Sequence, residues 1–597
     1  MLIGGRPGAI AVPLVCALAC QRGPTVAPPV APPVAPPDPP PPSGTLTGTV
    51  RELSGEPLEG PVLVGLTDTK TSWQIAVVET DPRGRFAAQV PPGDYALAIT
   101  SPRAFGFVEH VTAPGAGVDA RLLRECLPVQ GRLAGTVAPH SRVVFNRYSQ
   151  LTGDRFVAPA SPGGGFQVCL PEADYLVGTE GASVSHAQVV HVPVSAPLEL
   201  PVWPRATIEA VPQVPGPAGP ADLASFVKAL AHGPRLLGLG EANHGTGDFY
   251  TRRGELSLAL AREGELRYVL LEADAIGMLA IDDYVQGRKV AIAEAVAKLR
   301  FWITDIREFH QFLNDVRDYN KGISPARRVH VMGIDAQRSD PPAAFLLAGR
   351  IDLALPAADA KLLERLAADK GALSKLAPAE VSALEKLLDR LDAVPGKSDL
   401  LGVRARAAIA ARSLRHQLGY VGKPSTDSLR DAAMADLTMR ILELGSPGQA
   451  AVWAHQGHVA REPDNGIVSL GQHLARRSPG YYAIAFLSYD GAARAWDAAG
   501  EIGVIPHQLG PAPPFNVESV ILAAAGSPDI AWVRLDTVSE SLKAWLRAPR
   551  FVRELGSVVP LSTQILRPFP QAFDAVVVIK RASASTPTPT GERRAKS

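Results

Sequence analysis

The sequence predicts a multidomain chain: N-terminal all-β sandwich modules, then one large α/β domain with a parallel or mixed sheet flanked by helices and carrying a helical insertion. Three observations predict it. At 597 residues the chain is longer than one hydrophobic core accommodates. Residues 45–203 read as short strands punctuated by Gly and Pro, and they contain an internal repeat. From about Pro204, short continuously apolar runs alternate with helical stretches, as expected of strands buried on both faces.

Taken in order, the chain opens with a single cation, Arg6, then the apolar stretch from Ala9 to Ala19, then Cys20. This stretch is too short to cross roughly 30 Å of hydrocarbon and has the proportions of a secretory signal. Ala17-Leu-Ala-Cys20 resembles a bacterial lipobox, which implies a lipoprotein-type signal peptide over 1–20 with lipidation at Cys20; a simple cleaved signal is the alternative. Eleven prolines between Pro24 and Pro42 make 21–43 a semi-rigid spacer. The expectation is a bacterial export product, lipid-anchored in the periplasm or at the outer membrane. Cys126 and Cys169 are then the remaining cysteines, and as a pair in an exported chain they are expected to form a disulfide, with two separate thiols as the alternative.

Two small sandwiches are expected next, at 44–125 and 126–203. Gly84-Arg-Phe86, Val90-Pro91 and Asp94-Tyr95 recur 80 residues later as Gly164-Gly-Phe166, Leu170-Pro171 and Asp174-Tyr175, with five identical positions. Upstream, Leu46-Thr-Gly48 answers to Val129-Gln-Gly131. Through Gly48-Thr-Val50, Gly55-Glu-Pro57-Leu58, Gly84-Arg-Phe86 and Pro92-Gly-Asp-Tyr95, the first module resembles the carboxypeptidase regulatory-like sandwiches, which implies a spacer or adhesion role.

The α/β domain is expected over 204–580. Leu236–Leu239 and Tyr268–Leu271 are its first strands, with a helix from Asp248 to Glu265 between them in a βαβ unit; later strands are expected at 329–333, 450–454 and 482–486. Residues 357–420, rich in Ala, Leu and charged residues, are read as the helical insertion, and the Ser/Thr/Pro-rich stretch 581–597 as a disordered tail.

Function is narrowed first by exclusion. Lys+Arg 60 against Asp+Glu 59 gives a net charge of +1, so no nucleic-acid partner is expected. No Gly-x-Ser-x-Gly elbow, phosphate-binding Walker loop, Cys-x-x-Cys or His-Glu-x-x-His occurs. Instead, polar clusters follow apolar strands: Gly240-Glu-Ala-Asn-His-Gly-Thr246, Glu272 after Leu271, and Trp453-Ala-His-Gln-Gly-His458. Such strand ends are where open α/β sheets bind ligands, so two acids and three histidines are expected to share one cleft.

Over residues 225–580 the chain resembles the erythromycin esterase family. The matching pieces run in order: Leu239-Gly-Glu-Ala-Asn-His-Gly-Thr246 with Asp248-Phe249, Leu271-Glu272, Trp302-x-Thr304, Tyr319-Asn320, Gly333-Ile-Asp-Ala-Gln337, Arg430-Asp431 with Met434, Trp453-Ala-His-Gln-Gly-His458 and Phe573-Asp574. The resemblance implies a hydrolase in which His244 is the general base that activates water against an ester or macrolactone, with Glu241 and Glu272 orienting and tuning it. It further implies His455 and His458 as relay or orienting groups, Arg253 as a substrate or oxyanion contact, and no cofactor. Trp302 is expected to approach the cleft, and Arg430 to pair with Asp431. Asn243, Asp248 and Glu255 depart from the family pattern, where Ser or Thr, Glu, and a basic residue are usual. Two alternatives stand beside this reading: a metal-dependent hydrolase using His455 and His458 with Glu241 or Glu272, since these donors suit zinc, and a non-enzymatic surface lipoprotein binding haem or metal.

Overall fold

The computed structural model describes residues 44–589, apart from 54–57, 59–61, 70–73, 148–154, 213–215, 265, 300, 395–398, 424–426, 464–465, 498–502 and 560–563. The signal peptide, Cys20 and the Pro-rich spacer lie outside the described residues, as does the Gly55-Glu-Pro57 turn.

Residues 44–204 are all β among the described residues. In the first module the strands Gly44–Glu52, Arg85–Val90 and Gly115–Leu122 form one sheet, opposed by a four-stranded antiparallel sheet that includes Leu63–Asp68 and Gly93–Thr100. The second module has two four-stranded sheets built around Leu127–Gly135 and Ala173–Glu180. The repeat has one physical basis in both modules. Tyr95 donates its hydroxyl to Pro91 O (2.6 Å) and Tyr175 to Pro171 O (3.1 Å), closing the same corner four residues back. Gly48 faces Phe86, and Gly131 faces Phe166; a Cβ on either glycine would lie 2.5–2.6 Å from the ring, so the aromatic covers a bare backbone in each case. Gly84 and Gly164 take φ of 76° and 83°, a left-handed turn that disfavours a side chain. Cys126 and Cys169 are joined by a disulfide.

The modules are not strung on a loose tether. The Thr100 hydroxyl donates to Val157 O across the two sandwiches. The second sandwich packs on the α/β domain through Val184, Ile208, Phe551 and Leu566, and His186 Nδ1 lies 2.9 Å from Leu566 O.

The central sheet of the α/β domain has seven main strands: β1 (Leu236–Glu241), β2 (Leu266–Asp274), β3 (His330–Asp335), β4 (Gln449–His455), β5 (Tyr482–Asp497), β6 (Ile530–Arg534) and β7 (Ala575–Ala582). Their order is β3-β2-β4-β1-β5-β7-β6, all parallel except β6, which runs antiparallel to β7. β1 is buried along its whole length, and so is β4 up to its last residue, which explains their unbroken apolar character. Helix α1 (Gly247–Arg262) connects β1 to β2, but the two strands are not neighbours: β4, far downstream in sequence, inserts between them. Two segments more than 200 residues apart thereby end side by side, Glu241 in register with His455. Residues 357–420 contain the helices Ala357–Ala368, Pro378–Asp392 and Val403–Tyr420.

The part of the expected 581–597 tail that falls among the described residues, 581–589, differs from the sequence expectation, and 590–597 lie outside them. Residues 583–588 are held by backbone pairing, with bridges Thr246↔Ala584 and Ile306↔Pro587. Composition alone misses this because small polar residues satisfy a partner's backbone groups without an apolar signature.

Candidate active site

The site is assembled at the carboxyl ends of β1, β2, β3 and β4. At the end of β1, Glu241 is buried and His244 follows in the loop to α1. Asn243 shapes that loop: its Oδ1 accepts from Gly245 N (3.1 Å) and from the Thr246 hydroxyl (2.8 Å). His244 Nδ1 lies 2.8 Å from Glu241 Oε1. The other carboxylate oxygen, Oε2, is bonded by Arg253, from the second turn of α1.

Arg253 was expected at the substrate; the structure corrects this. It is 2% exposed, and its guanidinium carbon sits 4.9 Å from the Tyr250 ring centre and 4.8 Å from that of Trp453. Sandwiched between rings and tied to Glu241, it touches no open cleft. Its position makes it a support for the Glu241 carboxylate.

The second half of the site is centred on His458, in the short helix Gln456–Val459 after β4. His458 Nδ1 is 2.7 Å from Asp431 Oδ1, and its Nε2 is 3.3 Å from Glu272 Oε1. Arg430 does not pair with Asp431 as the sequence suggested. Successive helical residues diverge by about 100°, so the two cannot face one another. Arg430 instead bridges Glu272 (2.7 Å) and Asp335 (2.6 Å) at the ends of β2 and β3, while Asp431 places Oδ1 against His458 and accepts from Leu470 N at Oδ2.

His455 lies between the halves, its ring centre 5.2 Å from that of His244 and 6.5 Å from that of His458. Its own backbone N–H donates to Glu272 Oε2 (2.9 Å), fixing the strand end to the acid. Its Nδ1 accepts from Gly457 N, which places the proton of the neutral ring on Nε2. Behind it, Glu554 is held by Arg567 (2.7 Å) and by the Gln456 amide (2.6 Å).

Electrostatics separate the three imidazoles. Burial pulls His244 down, but the hydrogen bond and charge of Glu241, with the charge of Glu272, outweigh it and hold the ring above its ordinary value. Burial likewise opposes the charged form of His458, yet Asp431 and Glu272 hold it well above that value. For His455 burial wins, helped by the neighbouring imidazoles, and the ring is pushed down and stays neutral. Glu272, which burial would raise, is held well below the carboxylate range by His458 and Arg430.

The structure thus brings together His244, Glu241, Glu272, His455 and His458. It leaves Trp302 at the edge. That residue lies in a turn ahead of helix α2 (Arg307–Lys321), not on the helix, and its ring faces the Arg494 guanidinium at 5.5 Å. Among the described residues, no three His, Cys, Asp or Glu side chains are grouped to hold a metal; His458, one donor of the metal-dependent alternative, has its nitrogens facing Asp431 and Glu272. A cavity of about 960 Å³ lies between the two sandwiches, away from these groups, so convergence of charge and not cavity size marks the site. Asp335, Asp431, Glu554 and Arg567 were missed as participants. Asp335 stood in a recognisable motif without a role and Asp431 only as the expected partner of Arg430, whereas Glu554 and Arg567 stand in no motif.

Comparison with known proteins identifies the family and the fold of the α/β domain. The erythromycin esterase family model matches residues 262–582, which include Glu272, Arg430, His455 and His458 and begin after Glu241, His244 and Arg253. A solved protein from Bacillus cereus is 20% identical with a TM-score of 0.52, covering 64% of this chain and 97% of its own. A succinoglycan biosynthesis protein is 18% identical with a TM-score of 0.53, covering 64% and 98%. These two establish the shared fold. An erythromycin esterase variant in its open conformation also matches, at 20% identity and a TM-score of 0.45 over 61% of this chain and 95% of its own.

Proposed function

This chain belongs to the erythromycin esterase family, and on that premise we propose that it hydrolyses an ester or macrolactone of the macrolide type with water activated by His244, without a metal or a covalent intermediate. Family and fold support an ester hydrolase. The single observation that carries the finer reading is the line Arg253–Glu241–His244 at the end of β1.

Glu241 accepts the Nδ1–H hydrogen bond of neutral His244, leaving Nε2 as the basic nitrogen. Water gives a proton to Nε2 as its oxygen adds to the acyl carbon, and the imidazolium then returns that proton to the departing alkoxide. Glu241 stabilises the cation formed in between, and Arg253 keeps Glu241 in place through both steps. His458 and Arg430, whose nitrogens are engaged by Asp431, Glu272 and Asp335, keep the acids of the second half of the site in place. His455, neutral and beside His244, serves as the relay.

The test is incubation of the purified chain with macrolides and simple acyl esters in ¹⁸O-labelled water, with and without exhaustive chelation. Solvent ¹⁸O in the carboxylate product at a rate indifferent to chelator is the expected result; no turnover of any ester would overturn the reading.

We further propose export and lipid anchoring through Cys20. The Cys126–Cys169 disulfide supports an oxidising destination. Labelled fatty acid should enter the parent protein and not a Cys20→Ser variant; equal labelling of both would contradict this.

A further inference from the structure

The groups that hold the His244 loop come in part from the far end of the chain. Ser583 O accepts from Gly247 N (2.9 Å), Ser585 N donates to Gly245 O (2.8 Å), and Ser583 N donates to Asp248 Oδ2 (2.7 Å). The same segment then crosses to the start of α2. Thr586 N donates to both oxygens of Glu308 (3.0 and 3.1 Å), Thr586 O accepts from Arg307 N (2.8 Å), and Thr588 N donates to Asp305 O (3.1 Å).

These bonds fall where the two helices need them. A helix begins with amides that lack an intrahelical acceptor, and a side-chain cap usually satisfies one of them. Neither Thr246, ahead of α1, nor Ile306, ahead of α2, supplies such a cap. The carbonyls of Ser583 and Thr586 accept instead from Gly247 and Arg307, the first residue of each helix. On its other side the loop meets the backbone of β5: Arg494 N donates to Gly245 O (2.9 Å), and a Cβ on Gly245 would lie 1.7 Å from Arg494 O. Gly245, next to His244, is therefore gripped between two backbones, and one of them is the C-terminal segment. That segment lies beyond residue 582, where the family match ends.

We propose that Ser583–Thr588 is a positioning strap for the active site, setting the place of the His244 loop and tying it to the start of α2. It acts through backbone amides and carbonyls, which is why a run of Ser, Ala, Thr and Pro suffices. The proposal rests on the hydrolase reading for its effect on turnover but not for its effect on the loop.

The test uses four variants of the full chain. Ser585→Pro removes the N–H that reaches Gly245 O, and Ala584, already extended in a bridge, tolerates a following proline. Ser585→Ala keeps that N–H. One stop codon ends the chain at Ala582, before the strap, and another at Pro589, after it. Hydrogen exchange of the 243–247 amides should quicken at least about tenfold in Ser585→Pro and in the Ala582-ended chain, with β2 amides unchanged. Ester kcat should fall on the order of tenfold to a hundredfold at a nearly constant KM. Ser585→Ala and the Pro589-ended chain should match the parent in both respects. Unchanged loop exchange in both Ser585→Pro and the Ala582-ended chain would overturn the strap, and faster exchange with undiminished kcat would overturn its positioning role. If the parent turns over no ester, the hydrolase reading fails while loop exchange still decides the strap.

Discussion

His244 Nδ1 stands 2.8 Å from Glu241 Oε1, and the carboxylate that orients it is itself held from behind by the buried Arg253. This arrangement specifies the tautomer, the direction and the basicity of one imidazole. Each of those three properties can be altered separately.

Basicity sets the acidic limb of the rate profile. Because Glu241 holds His244 above the ordinary histidine value, the free base forms only as pH rises through that raised value, and kcat/KM should climb over the same range. Glu241→Gln keeps an acceptor but removes the charge, so burial, the largest opposing influence, then prevails. The limb should move to lower pH, with kcat reduced on the order of a hundredfold. A pH series on parent and variant with one ester checks the sign; a limb that stays put contradicts the assignment of His244 as the titrating base.

Arg253 acts through Glu241 and not on substrate. Arg253→Met should strand a buried carboxylate and lower unfolding free energy by about 3–5 kcal/mol. Among the surviving folded molecules, kcat should fall more than KM rises. Denaturant unfolding with steady-state kinetics separates this from a substrate contact, whose loss would raise KM foremost.

Acid stability should report the other half of the site. Unfolded, Glu272 titrates near its ordinary 4.5, whereas in the folded chain it is held well below. Its charge therefore contributes stability that is complete above about pH 4.5 and is lost as pH falls through the folded value. His458 has the opposite sign: its contribution is complete below about pH 6.5 and is lost as pH rises through its raised folded value. Glu272→Ala should cost about 3–5 kcal/mol at pH 6 and flatten the decline of stability below pH 4.5. Urea unfolding between pH 3 and 7 measures both.

Much of this site was legible because its chemistry is local in sequence. Glu241 and His244 share one loop, His455 and His458 another, and Glu272 marks a strand end. The alternation of apolar strands with helices likewise gave the α/β class, and Tyr95 and Tyr175 gave the duplicated corner. What escaped depends on long-range placement. The insertion of β4 between β1 and β2 is decided by sheet order, which no local pattern encodes. Arg253 carried the right charge for a substrate contact, and only its packing between Tyr250 and Trp453 shows otherwise. Arg430 and Asp431 are adjacent in sequence yet serve different partners because a helix turns them apart. Glu554 approaches His455 to 3.6 Å with Arg567 holding it, and neither stands in any motif.

The most direct test of the central claim is ester hydrolysis by His244→Ala beside the parent. In the variant Arg253 still neutralises Glu241, so the fold should lose no more than about 1–2 kcal/mol and the thermal midpoint should move by only a few degrees. The account predicts that kcat/KM falls by about 10² to 10⁴ with the melting temperature nearly unchanged; a variant as active as the parent would contradict it.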